Sequence, residues 1–188
     1  LLRQVIRKQI SGIIAGDRVE QDDIAEALAW IDSGVELCRI EKPATPPMHL
    51  VSYCVVLNQD RVLLVDHKKA GLWLPTGGHV DQGEYPRHAA ERELLEELGV
   101  VSEVPFGAPF MITCQTTVGL TAGHRDVSLW YLARVAESTP LRWDRDEFND
   151  IRWFSMDQVP LERADPCFER FARKLAEHYP LARTLQRV

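Results

Sequence analysis

The segment Gly77–Val100, GGHVDQGEYPRHAAERELLEELGV, constrains the fold more than any other part of the chain. Pro86 suits the first turn of a helix, where a missing N–H leaves no bond unmade. Gly99 suits the position just past a helix end, where the backbone turns left-handed. Between them the side chains sort by angle. At about 100° per residue, Glu97 falls about 40° to one side of Glu93 and Glu96 about 60° to the other. Ala89 lies on the same face one turn earlier and is too small to block access. Leu94, Leu95 and Leu98 take roughly the opposite side. One flank of this helix is written for burial and the other for negative charge.

The rest of the chain arranges itself around that helix. Residues 3–14 and 20–33 read as two helices. In the second, Ile24, Leu28 and Ile31 form one stripe, Asp22, Asp23 and Glu26 sit early, and Gly34 follows as a stop. Three prolines in EKPATPPMH, 41–49, mark a linker or extended crossing. From residue 49 the period changes: HLVSYCVVLNQDRVLLVDH holds two β-rich runs around a turn at Asn58–Asp60. LWLP, 72–75, is a short strand entering the glycine loop. Further strands are predicted near 101–104, 109–117, 127–135 and 150–160. A closing helix is predicted over 162–178, with Phe168, Phe171, Leu175 and His178 along one side. Strands on both sides of a central helix predict a mixed α+β sandwich.

Bulk properties exclude little but point one way. A chain of 188 residues is long enough for one core without metal or disulfide staples. The net charge of −6 argues against a nucleic-acid polymer or an anionic membrane surface as partner. It leaves room for a small phosphorylated substrate, since a metal ion can supply local positive charge. Cys38, Cys54, Cys114 and Cys167 are scattered with no CxxC pair, which argues against structural zinc and for a reducing cytoplasm. No run is apolar enough to span a bilayer. The opening LLRQVIRKQISGIIAG, broken by Arg3, Arg7 and Lys8, reads as an amphipathic helix rather than a targeting peptide.

Three carboxylates on one face repel one another unless a proton or a cation compensates. Oxygen ligands on a short face, completed by water, suit Mg²⁺ or Mn²⁺. Gly77, Gly78 and Gly83 allow the preceding loop to approach a ligand closely and to offer a carbonyl. Arg92 flanks the acidic face and can reach back to Glu84, locking loop to helix. A plain solvated acidic helix is the alternative, since glutamates at i, i+3 and i+4 are common on exposed faces.

The full spacing is Gly78, five residues, Glu84, seven residues, then Arg92-Glu93-Leu94-Leu95-Glu96-Glu97-Leu98-Gly99-Val100. This resembles the Nudix box, with every specified position filled. GLWLPTGG resembles the strand that leads into such boxes, and NDIRWFSMDQVP the late strand and turn. The resemblance covers roughly 49–178. It implies a Nudix-type α/β/α sandwich with a mixed sheet over 46–188, preceded by a helical extension and linker over 1–45. It further implies divalent-metal-dependent hydrolysis of a diphosphate linked to another moiety, usually a nucleoside. By match to the box, Glu93, Glu96 and Glu97 become metal ligands together with the Gly77 carbonyl. Gly78, Glu84, Arg92 and Gly99 become structural support.

The general base is open between Glu97 and a glutamate from a distant loop; WDRDEFND, 143–150, offers Asp144, Asp146 and Glu147, of which Glu147 is the choice. His79, Lys68 and Arg125 are candidate contacts to phosphate, each with a bland alternative in packing, solvation or a turn. His124 and Asp126 flank Arg125 with the same ambiguity. Trp73, Phe106, Trp130 and Trp153 would stack on a base or simply fill the core. The N-terminal helices would pack on the sandwich, shape the pocket or make a homodimer. A Nudix-fold sensing module without turnover is the alternative reading, disfavoured by the intact carboxylate set.

Overall fold

The computed structural model describes residues 1–42, 45–117 and 123–179. Helix α1 spans Leu2–Ser11 and α2 Arg18–Asp32. Strands β1, Met48–Asn58, and β2, Arg61–His67, form the expected hairpin, with Gln59 at φ 54° in its turn. Then follow β3, Leu72–Leu74; β4, Thr76–His79; and α3, Pro86–Leu98. After these come β5, Met111–Thr116; β6, Arg125–Arg134; β7, Phe148–Ser155; and α4, Phe168–His178. None of the described helices is long and apolar enough to cross a membrane.

Among the described residues, seven strands make one mixed sheet built on β1. Along one edge β1 runs parallel to β6 from Met48↔Arg125 to Leu57↔Arg134. The other edge is shared: β4 pairs with Val51–Cys54 and β2 with Val56–Asn58, both antiparallel. β2 carries β3 and β7 in turn, and β6 carries β5. A central strand covered on both faces needs apolar residues in succession, which VVL within β1 supplies. Alternation then divides them. Leu50, Cys54 and Val56 join the core under α1, α2 and α3; Val55, with Val62, Leu64 and Trp130, joins the core under α4. The layers are therefore helices, sheet, helix.

The differences from expectation have local causes. No strand forms at 101–104: Glu103 N–H donates to the Arg134 carbonyl, but Ser102 and Glu103 side chains take neighbouring amides and end the pairing. The last helix begins at Phe168 rather than 162, because Pro166 disfavours helical geometry in the residue before it. The first helix stops at Ser11, one residue before Gly12. Gly77 and Gly78 lie in strand β4, not in a loop. Leu95, expected on the buried flank, is 52% exposed, while Leu94 and Leu98 are buried. Of the linker, Pro43 and Ala44 lie outside the described residues, as do 180–188 of the expected domain.

The N-terminal helices share the core of the sandwich: Ile6, Ile10, Ala27 and Ile31 pack in one cluster with Leu50 and Leu129. A buried ion pair fastens the arrangement. Lys174 Nζ donates to Glu20 Oε1 at 2.7 Å, with side-chain exposures of 3% and 2%. Glu20 also accepts from the Ile112 and Gly16 amides, and Lys174 donates to the Phe110 carbonyl, so both charges are hydrogen-bonded. Removing one member strands the other without water. Lys174→Ala is expected to cost about 3–5 kcal/mol in urea unfolding. Adding Glu20→Ala is expected to cost markedly less than the sum of the two single changes.

Candidate active site

Helix α3 carries the acidic side chains, and its ends match the sequence: Pro86 opens it and Gly99 closes it at φ 69°. Burial separates the three glutamates. Glu93 and Glu96 side chains are 14% and 60% exposed, and Glu97 is 9% exposed overall. Glu97 Oε2 accepts from the Gly77 N–H at 3.2 Å, which places the helix against β4. A Cβ on Gly78 would sit 2.2 Å from Glu93 Oε1, and one on Gly77 would sit 2.3 Å from the Ser52 carbonyl. Gly78 is thus needed for the close approach of β4 to α3, and Gly77 for that of β4 to β1, rather than for loop flexibility.

Arg92 organises the outer part. Its Nε and Nη2 donate to Glu84 Oε1 and Oε2, each at 3.0 Å. Nη2 also donates to the His79 carbonyl at 3.1 Å, and Nη1 donates to Glu93 at 2.7 Å and Glu96 at 3.1 Å. Glu84 is held below the usual carboxylate range by Arg92 and the Asp81 amide, against its partial burial. Glu93 is pushed up by burial and, more weakly, by Glu96 and Glu147. Glu97 is pushed up to about 9, chiefly by burial, then by Glu93 and Glu147. Glu147 thus adds to the negative field felt by both groups. Its own Oε1 lies 3.7 Å from His67 Nε2, and its carbonyl accepts from Lys68 N–H. Burial lowers His67 from its ordinary value.

The remaining candidates are less available. Lys68 Nζ is bonded to the Arg145 carbonyl. Arg125 forms a two-pronged pair with Glu26 of α2, at 2.5 and 2.6 Å, because β6 begins beside that helix. Neither cation is presented free to the carboxylates. His79 follows the glycines but lies among His49, His124 and Arg39; burial, and next the Arg39 charge, lower it to about 3. Trp73, Phe106 and Trp130 are core residues, and Trp153 packs against the core. Sequence reasoning gave no role to Arg39 or His67; single residues without a motif offered no signal.

The NUDIX domain matches the chain over residues 47–175. An RNA pyrophosphohydrolase of Novosphingobium aromaticivorans is 31% identical over 147 residues, covering 69% of this chain and 89% of that one. An uncharacterised Nudix hydrolase of Listeria innocua is 26% identical over 137 residues, covering 69% and 77%. The crystal structure of a MutT NUDIX hydrolase from Burkholderia pseudomallei superposes with a TM-score of 0.57 at 27% identity, over 68% of this chain and 96% of that one. The chain belongs to the Nudix hydrolase family. It is accordingly an enzyme acting on phosphoanhydrides, in a family that generally uses divalent metals.

Two expectations follow from this geometry. Gly78→Ala displaces the movable Glu93 carboxylate and is expected to weaken divalent-ion binding by calorimetry while leaving the unfolding temperature nearly unchanged. Gly77→Ala meets main chain instead and is expected to lower that temperature. The second concerns pH. Glu97 has an ordinary value of 4.5 and a folded value of about 9, so between them the folded chain holds a proton that the unfolded chain releases. With chelator present, stability is expected to fall as pH rises through that window. Glu97→Gln flattens the slope, as thermal unfolding at about pH 6 and about pH 8.5 would show.

Proposed function

We propose that this chain hydrolyses a phosphoanhydride bond in a nucleoside diphosphate linked to another moiety. In this reading Mg²⁺, or Mn²⁺, is held by Glu93, Glu96 and Glu97 with the Gly77 carbonyl. The observation that carries it is Glu97. It is a buried carboxylate beside Glu93 and within the field of Glu147, with the Gly77 amide as its one hydrogen-bond partner among the described residues. A hard cation with oxygen ligands fits that donor set, since it relieves the repulsion that burial intensifies. Once bound, such an ion supplies neutralisation of the phosphate oxygens and acidifies water.

The side chains divide the remaining work. Arg92 fixes Glu93 and Glu96 by direct donation and ties Glu84 and the end of β4 to the helix. Glu147 accepts the proton of the attacking water; Glu97 is the second candidate for that role. A nucleotide derivative is the preferred substrate, in keeping with a net charge of −6 that disfavours long polyanions. The name of the Novosphingobium relative makes an RNA bearing a 5′ phosphoanhydride the appropriate polymer control.

Phosphate release from nucleoside triphosphates, sugar nucleotides, dinucleoside polyphosphates and that RNA, with and without Mg²⁺, tests the proposal. Turnover of a small nucleotide is expected only with the ion. Glu97→Gln is expected to lower it by on the order of 100-fold or more, at unchanged circular dichroism. Glu147→Gln is expected to lower kcat within the range of about 100- to 10,000-fold typical of a lost general base. Binding without turnover under every condition would refute the proposal.

A further inference from the structure

Three imidazoles and one carboxylate meet where the ends of three strands adjoin. His49 is the second residue of β1, Asp126 the second of β6, His79 the last of β4, and His124 immediately precedes β6. The register brings them together: His49 pairs with Asp126 across the parallel ladder, and Val51, two residues on, pairs with His79. By strand alternation, His49, His79 and Asp126 share the sheet face opposite the one occupied by Leu50 and α3. One ligand atom from each of the four residues lies within 4.8 Å of all the others. The His49 ring is 4.8 Å from those of both His79 and His124, centre to centre.

The hydrogen bonding inside this cluster is incomplete. His49 is fully buried, and its Nδ1 lies 2.8 Å from the Pro46 carbonyl. A carbonyl only accepts, so Nδ1 carries the hydrogen and a neutral ring presents a bare lone pair at Nε2. That atom sits 3.3 Å from Asp126 Oδ1, itself an acceptor; His124 Nε2 sits 3.4 Å from the same oxygen. Among the described residues, neither His49 Nε2 nor Asp126 Oδ1 has a hydrogen-bond partner. Buried acceptors this close are costly unless a proton or a metal cation lies between them.

The spacing identifies the kind of cation. Four ligands bound tetrahedrally at about 2.0–2.1 Å stand about 3.3–3.4 Å apart. The two contacts to Asp126 Oδ1 match that separation. Imidazole-rich donor sets favour Zn²⁺ and its first-row neighbours over Mg²⁺, which takes oxygen. Outward hydrogen bonds of the kind made by His49 Nδ1 orient ligating histidines, and Thr117 Oγ1, 3.2 Å from His124 Nδ1, is placed for the same purpose. Arg39 Nη1 lies 3.1 Å from His79 Nε2 and, as an obligate donor, engages that lone pair. Closure of the fourth ligand therefore uses the other ring nitrogen of His79 or displaces Arg39.

We propose that His49, His79, His124 and Asp126 form a structural site for a first-row transition ion, Zn²⁺ foremost, separate from the oxygen ligands on α3. Four protein ligands leave no open position, which is the mark of a structural rather than a reactive centre. The ion ties the ends of β4, β1 and β6 and so steadies the strand that carries Gly77 and Gly78.

The test uses the full chain purified without chelator or affinity tag. Elemental analysis is expected to find about one transition ion per chain, retained through dialysis against Mg²⁺. His124→Gln and Asp126→Asn are expected to lose it, and Glu97→Gln to keep it. Two measurements on the unaltered sequence do not depend on how those variants fold. Chelated protein reloaded with Co²⁺ is expected to show the intense visible bands of tetrahedral coordination. Zn²⁺ alone is expected to raise its unfolding temperature. Absence of both responses would overturn the proposal. So would loss of the ion in Glu97→Gln with retention in His124→Gln, or a nitrogen NMR spectrum showing His49 Nε2 protonated with Zn²⁺ present.

Discussion

One guanidinium holds the acidic face of this molecule in register. Arg92 reaches Glu84 with two parallel bonds, the main chain of β4 through the His79 carbonyl, and both Glu93 and Glu96 on its own helix. Because arginine stays charged and its donors lie in a fixed plane, these contacts impose geometry as well as attraction. Loop 80–84, strand β4 and helix α3 are therefore tied to one another through a single side chain. The arrangement also sorts the acids. Those that touch Arg92 are partly compensated within the protein, while Glu97, pressed against the Gly77 amide instead, is left as the group most in need of a cation.

The sequence made the helix of the site legible almost completely, because its information is local. Pro86, Gly99 and the angular order of Glu93, Glu96 and Glu97 depend only on 3.6-residue geometry, and the observed helix obeys it. The β1–β2 hairpin was legible for the same reason. Burial was less so. Leu95 looks as apolar as Leu94, yet only contact with the sheet decides which of them is covered. The glycines misled in a similar way: their freedom suggested a loop, whereas the space between β1 and α3 required strand residues without side chains. Arg125 illustrates the long-range limit, since no pattern announces that Glu26, 99 residues away, will engage it. The histidine cluster is the extreme case. Its members come from three strands, and parallel register cannot be read from spacing along the chain.

Strand β1 explains how such distant pieces become neighbours. Parallel pairing with β6 demands a long crossover, and residues between the two strands supply α3 and the glycine strand within it. With β4 sharing its other edge, β1 fixes both sides of the sheet around one line of backbone. The carboxylates face one side of that line through Gly78, and His49 emerges on the other. A one-residue slip would exchange the two faces, so the apolar alternation of β1 guards both at once.

The acidic residues of α2 and its cap have a further effect. Asp17 and Asp23 engage Arg170, Asp17 also engages Arg173, Glu20 engages Lys174, and Glu26 engages Arg125. These pairs neutralise Arg170, Arg173 and Lys174 of α4 and Arg125 at the start of β6. A natural or engineered shortening that deleted α2 would therefore do more than thin the core. It would leave four cations without their carboxylate partners, among them the buried Lys174 ammonium, so the loss of one helix would be felt as unpaired charge in another.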